Sequence, residues 1–222
     1  MNLVFLIREG RPELVLFFTG WAMDERPFLP LIKGPYDLAL VYDYRQIRLP
    51  DLPPYPRIHV LAWSAGVSVA LSLIDRLSAD TWTFINGTGA FCHPDWGIHP
   101  RIMTRTISAL KASPQKTLEA FYKNMFQGEE GLKRFWQNRP RRDPTEILEE
   151  LKALTALEAR RVVPKGKVNI LVGIRDRIVP PRSQKAFWVK FGFNYQEKNW
   201  GHFPFYRFQH LGNLLGKGTN EA

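Results

Sequence analysis

Cysteine is almost absent from this chain: Cys92 is the only one in 222 residues. That excludes an internal disulfide and a cysteine-ligated metal cluster, and makes a cytoplasmic location the expectation. No apolar run approaches the roughly 20 residues that cross a bilayer, so no membrane partner is expected. The N-terminal stretch Met1–Arg8 has neither a basic leader nor a small-residue cleavage site and reads as a first strand. There is no GxGxxG or Walker loop and no HExxH, and histidines and acids do not cluster. No metal and no cofactor is therefore expected. Internal repeats and low-complexity tracts are missing too. Acidic residues are the scarcer charge, 21 Asp and Glu against 31 Lys and Arg, for a net charge of +10. Such a balance favours an acidic partner, whether nucleic acid, anionic lipid or an acidic protein.

What is present is ordinary globular composition, 45% apolar and 23% charged, in a chain long enough for one sizeable core. Short apolar runs of strand type fall at Leu3–Ile7, Leu14–Phe18, Leu38–Tyr42, Ile58–Trp63, Thr81–Ile85, Val168–Gly173 and Phe193–Lys198. Residues 49–56 contain Pro50, Pro53, Pro54 and Pro56, so they form a surface connection, not a helix. Val67, Ala70, Leu71, Ile74 and Leu77 recur at helical spacing after Ser64. Buried strands alternating with helices predict an α/β fold with a mostly parallel sheet covered on both faces. Between about Pro94 and Pro164 the strand pattern stops. Helices are predicted over 102–110, 117–126, 131–137 and 145–160, with Ser113 and Asp143 as caps. An insertion between two strands of one sheet reads as a helical lid within a single domain, 1–222. Pro180 and Pro181 can open another helix, a closing helix is expected near 206–215, and the tail 216–222 is expected to fray.

The chemistry centres on Arg57-Ile58-His59-Val60-Leu61-Ala62-Trp63-Ser64-Ala65-Gly66-Val67. A buried-strand run stops at Ser64, small residues follow, and a helix begins, which is the pattern of a nucleophile elbow. A serine hydroxyl needs a base, and the base needs a group to fix its tautomer. In parallel α/β sheets reactive groups gather beyond the carboxyl ends of strands. Ser64, Asp176 and His202 each follow such an end, in the chain order Ser, Asp, His of α/β-hydrolases. His59 lies within a strand, His93 and His99 open the insertion and could reach a pocket mouth, and His210 belongs to the last helix. Asp43 precedes Ser64 and follows an earlier strand, so Asp176 is preferred. The backbone N–H groups of Ala65 and, in the loop Thr19-Gly20-Trp21-Ala22, of Trp21 are the candidate oxyanion hole.

On the segments Phe17–Trp21, Tyr42-Asp43-Tyr44, Leu61–Val67 and Asn86-Gly87-Thr88-Gly89, the chain resembles BioG-type pimeloyl-[acyl-carrier protein] methyl ester esterases. The resemblance implies an α/β-hydrolase that removes the methyl group from a pimeloyl-acyl-carrier protein during biotin precursor synthesis. It also implies Ser64 as nucleophile, His202 as base then acid, and Asp176 as its orienting partner. Ala62 departs from the Gly-x-Ser-x-Gly form. Charge agrees with such a partner: residues 97–142 hold ten Lys or Arg against three Glu, net +7. An acidic carrier protein would be steered by this basic lid, and Arg139, Arg141 and Arg142 are the candidate carrier contacts. Nucleic acid is disfavoured, since no recognition motif accompanies the charge, and a monomer is expected. Trp96, Phe121, Phe126 and Trp136 are candidate pocket walls. The alternatives are a general short-chain esterase or thioesterase, and a non-catalytic module that binds acyl-carrier protein.

Overall fold

The computed structural model describes residues 1–49, 51–158, 164 and 166–215. Pro50, the last two residues of the helix predicted over 145–160, and the tail 216–222 lie outside them. Seven strands form one sheet: β1 (Asn2–Ile7), β2 (Glu13–Phe18), β3 (Asp37–Tyr42), β4 (Arg57–Trp63), β5 (Thr81–Ile85), β6 (Lys167–Gly173) and β7 (Gln196–Lys198). Their order is β1-β3-β2-β4-β5-β6-β7. Only β1 runs antiparallel to its neighbour; all the other pairs are parallel. Successive strand residues point to opposite faces. The unbroken burial of Leu14–Phe18, Asp37–Val41 and His59–Trp63 therefore shows both faces of the sheet centre covered.

The crossovers are uneven. A helix α1 (Ala65–Ser72) and a short 3-10 turn link β4 to β5, and α6 (Pro181–Lys190) links β6 to β7. The connection from β3 to β4 carries no helix among its described residues, as its prolines require. Between β5 and β6 stand α2 (Pro100–Ala112), α3 (Pro114–Asn124), α4 (Glu129–Gln137) and α5 (Pro144–Thr155). Helices α2, α3, α5 and α6 each begin with proline, whose missing N–H costs nothing in the first turn. Asp143 caps α5 by accepting from the N–H groups of Thr145 (2.7 Å) and Glu146 (3.3 Å).

Local expectations differ from the structure at several points; the helix predicted over 145–160, for one, ends at Thr155. Ser113 stands before α3 but makes no side-chain cap bond; its backbone carbonyl instead accepts from the Thr117 N–H and hydroxyl. The last strand is only three residues long, because Phe193 turns in to pack on Trp188. The closing helix is two 3-10 turns, Phe205–Arg207 and Leu211–Leu214, joined through extended backbone at Phe208 and His210. Gly212 and Asn213 are poor helix formers. The Gly212 N–H bonds the Tyr36 hydroxyl at 2.7 Å, which holds the second turn against the core.

Candidate active site

β4 delivers Ser64 at φ 57°, ψ −124°, on the positive-φ side of the backbone map that a side chain rarely occupies. The chain reverses there from strand to helix within one residue. Two glycines make room for it. A Cβ on Gly66 would collide with the carbonyl oxygens of Phe18 and Thr19, and one on Gly87 with the Ser64 carbonyl. Ala65 is the first residue of α1, so its N–H belongs to the set that a helix leaves without an intrahelical acceptor.

Three strand ends converge on this elbow. His202 Nε2 lies 2.9 Å from Ser64 Oγ, and His202 Nδ1 lies 2.8 Å from Asp176 Oδ2. All three side chains are buried. Asp176 also accepts from the N–H groups of Ile178 (2.8 Å) and Val179 (3.0 Å) and from Gln184 Nε2 (3.0 Å). Every partner of Asp176 is a donor, so His202 Nδ1 carries the proton and Nε2 presents its lone pair to the serine hydroxyl.

Residues that sequence reading passed over hold His202 in place. Its carbonyl accepts from Trp63 Nε1 at 2.7 Å and from Asn86 Nδ2 at 2.9 Å. Asn86 also donates to the Gly201 carbonyl (2.8 Å), and its Oδ1 accepts from the Gly173 N–H (2.7 Å). One buried amide thus ties the end of β5 to the end of β6 and to the histidine loop. Its φ of 50° suits asparagine better than most residues. The visible signal was the Asn86-Gly87-Thr88-Gly89 turn after β5. Replacing Asn86 by alanine should lower kcat about 100-fold, the cost of roughly 1 Å of misplacement, with KM within about threefold of the parent. Steady-state kinetics on a p-nitrophenyl ester checks this, and a change confined to KM would contradict it.

The loop after β2 faces the serine. Trp21 and Ser64 line one cavity of about 410 Å³. Trp21 Nε1 donates to the Ile147 carbonyl (3.0 Å), the Ala22 N–H to Glu150 Oε2 (3.3 Å) and the Tyr122 hydroxyl to the Ala22 carbonyl (3.2 Å). Helices α3 and α5 therefore hold this loop. The cavity walls are chiefly apolar, with Ile98, Ile102, Met103, Leu151 and Ile178 beside the aromatic Phe91 and Phe121.

Of the aromatic residues expected as walls, Phe121 lines the cavity. Trp96 instead packs on His93 and Phe191, Phe126 on Phe135 and Phe203, and Trp136 on Tyr122 and Phe135. His99 caps α2 and His93 accepts from the Asp95 and Trp96 N–H groups, so neither is a lining residue. His59 is buried within β4 on Thr81.

Of the three arginines expected to meet a carrier, Arg142 needs correction. The Arg142 side chain is buried, with Nη1 2.6 Å from Glu150 Oε2 and Nη2 3.1 Å from Asp43 Oδ1, the latter without hydrogen-bond alignment. It is consumed in an internal ion-pair network and offers nothing to a partner. Arg139 and Arg141 are exposed but outside the cavity lining; the Arg139 guanidinium lies over Trp136, and the Arg141 N–H bonds Asp24. Among the described residues no three His, Cys, Asp or Glu side chains group as a metal site, and no helix is long and apolar enough to cross a membrane.

Sheet order, elbow and the Ser64–His202–Asp176 chain have the layout of the α/β-hydrolase class. An esterase from Exiguobacterium antarcticum shares this fold at a TM-score of 0.73 and 14% identity, over 91% of this chain and 88% of that one. The model of the pimeloyl-ACP methyl esterase BioG family matches residues 1–214, and the chain belongs to that family. The crystal structure of BioG from Haemophilus influenzae superposes with a TM-score of 0.85 at 30% identity, covering 97% of this chain and all of that one. A malonyl-[acyl-carrier protein] O-methyltransferase from Bacteroides fragilis is 32% identical over 199 residues. That match takes in 87% of this chain, which spans only 40% of the relative's length.

Proposed function

We propose that Ser64 cleaves the methyl ester at the far end of a pimeloyl chain carried by acyl-carrier protein. The observation that carries this reading is the Ser64–His202–Asp176 hydrogen-bonded chain opening on an apolar cavity, in a chain of this family. His202 Nε2 takes the hydroxyl proton as Oγ attacks the ester carbonyl. The oxyanion that forms is met by the N–H groups of Ala65 and Trp21. The C–O bond to methanol breaks as His202 returns the proton to the leaving oxygen. Water then attacks the acyl-enzyme, again giving its proton to His202; the bond from the acyl carbon to Ser64 Oγ breaks as His202 returns that proton to Oγ, and the carboxylate leaves still joined to its carrier.

The apolar walls suit the substrate. A pimeloyl chain has five methylenes, and burial at about 0.8 kcal/mol each supplies on the order of 4 kcal/mol. The same walls disfavour a free carboxylate beside Ser64, so product is released.

The test is mass spectrometry of methyl-pimeloyl-acyl-carrier protein after incubation with the purified protein. The expected product has lost one methyl ester with its thioester intact and one methanol released per chain. Cleavage at the thioester, leaving the methyl ester in place, would overturn this reading in favour of a thioesterase.

A further inference from the structure

Asp176 needs more than its place at the end of β6 to serve His202. Its Oδ1 accepts from the Ile178 and Val179 N–H groups, which belong to the turn it begins. Those two bonds fasten one oxygen only. The last torsion of an aspartate side chain is broad and soft, so Oδ2 is still free to swing about Oδ1 and away from His202 Nδ1. The donor that stops the swing comes from a different element. Gln184, near the start of α6, is fully buried. It places Nε2 3.0 Å from Asp176 Oδ2 and 2.8 Å from the Val179 carbonyl oxygen. Both amide hydrogens are thereby used, and the carboxylate is gripped at both oxygens. Gln184 is held in turn. Its backbone N–H bonds the Pro180 carbonyl at 3.1 Å. Trp188, one turn further along α6, donates Nε1 to the Gly87 carbonyl (3.2 Å) and stacks on Phe84. Helix α6 is locked to the end of β5, beside the elbow.

Packing alone does not call for glutamine here. Among the described residues Gln184 Oε1 is buried with no hydrogen-bond partner, a cost that methionine or leucine of similar volume would avoid. Nor can the amide be reversed, since Oε1 would then face two acceptors, the Asp176 carboxylate and the Val179 carbonyl. Among the described residues Gln184 is the one side chain besides His202 that donates to Asp176. Of the neighbouring cations, Arg175 turns to Gln127 Oε1 (3.5 Å) and Arg177 lines the cavity.

We propose that Gln184 is a positioning residue for ester cleavage: it holds Asp176 Oδ2 on His202 Nδ1, and through it the imidazole on Ser64. The proposal rests on the roles given above to Ser64, His202 and Asp176. Gln184 is absent from the cavity lining, so its loss acts on kcat and leaves KM nearly unchanged.

The experiment is a double-mutant cycle on the full chain. It is read by kcat and KM on a p-nitrophenyl ester and by the rate at which a fluorophosphonate labels Ser64. The variants are Gln184→Met, Asp176→Ala and the two together, each checked for folding by circular dichroism. Gln184→Met should lower kcat about 10-fold to 100-fold, with KM within about threefold of the parent, and slow the labelling by a similar factor. In the Asp176→Ala background the same substitution should change kcat by less than about threefold, since no carboxylate is left to hold. A role in packing elsewhere predicts instead that the two losses multiply. Gln184→Asn keeps the amide one methylene too short; it should lose as much kcat as Gln184→Met and replaces it in the cycle if the apolar variant does not fold. Parent-like kcat in Gln184→Met or Gln184→Asn, a loss confined to KM, or losses that multiply in the double variant overturns the inference. Parent-like kcat in Asp176→Ala would overturn the role given to Asp176 as well, which tells the two failures apart.

Discussion

Ser64→Ala should lower ester hydrolysis by about 10⁴-fold to 10⁶-fold, the range seen when a serine nucleophile is removed from an assembled triad. His202 and Asp176 keep their own hydrogen bonds in that variant, so the loss reports the nucleophile and not a disordered site. The residue also carries backbone strain. At φ 57° a non-glycine side chain costs of order 1–3 kcal/mol, and alanine inherits that cost. Ser64→Gly relieves it and gives back part through the freer unfolded chain. The glycine variant should therefore be about 1 kcal/mol more stable than the alanine variant, while both are inactive. Urea unfolding and hydrolysis of a p-nitrophenyl ester read the two properties separately. Retention of more than about one per cent of parent activity by purified Ser64→Ala would remove Ser64 from the mechanism.

The elbow was legible because its signals are local. An apolar run, a single serine and small residues before a helical pattern lie within a dozen positions. Strand ends are equally local, which is why Asp176 and His202 could be singled out before any contact was known. The parts that stayed hidden depend on partners distant in the chain. Arg142 reads as one more cation in a basic segment, yet it is buried on Asp43 and Glu150. Neither acid announces itself: Asp43 follows a strand, and Glu150 sits among the charges of a helix. Asn86, Gln184 and Trp63 are likewise ordinary polar or aromatic residues until folding brings their donors to the His202 carbonyl and Asp176. The 3-10 turns near the C-terminus escaped for a different reason. Leu211 and Leu214 are spaced as a helix would space them, but the hydrogen bond from Gly212 to Tyr36 and the extended backbone at His210 decide the local geometry.

Glu150→Leu should destabilise the protein by about 3–5 kcal/mol, the usual cost of removing one partner from a buried ion pair. It should also lower kcat. Glu150 is fully buried on α5, where desolvation pushes its carboxyl up while the Arg142 guanidinium pulls it down. Its two oxygens hold more than Arg142. Oε1 accepts from the Tyr44 N–H at 2.9 Å and Oε2 from the Ala22 N–H at 3.3 Å. Tyr44 in turn places its hydroxyl 2.8 Å from the Thr19 carbonyl. Glu150 therefore grips the loop containing Trp21 from both sides, and Ala22 keeps its φ of 63° under that grip. The two effects can be separated with Glu150→Leu/Arg142→Met. Removing both charges relieves a buried guanidinium left with only the poorly aligned Asp43 carboxylate, and stability should recover by about 2 kcal/mol or more. The N–H groups of Ala22 and Tyr44 still lack their acceptor, so the loop containing Trp21 stays unanchored and, with that loop as the proposed oxyanion hole, kcat should remain roughly 10-fold to 100-fold below the parent. Recovery of kcat together with stability in the double variant would show that Glu150 serves only to neutralise Arg142. Low kcat in a restabilised protein would identify Glu150 as the residue through which the helices between β5 and β6 position the loop containing Trp21.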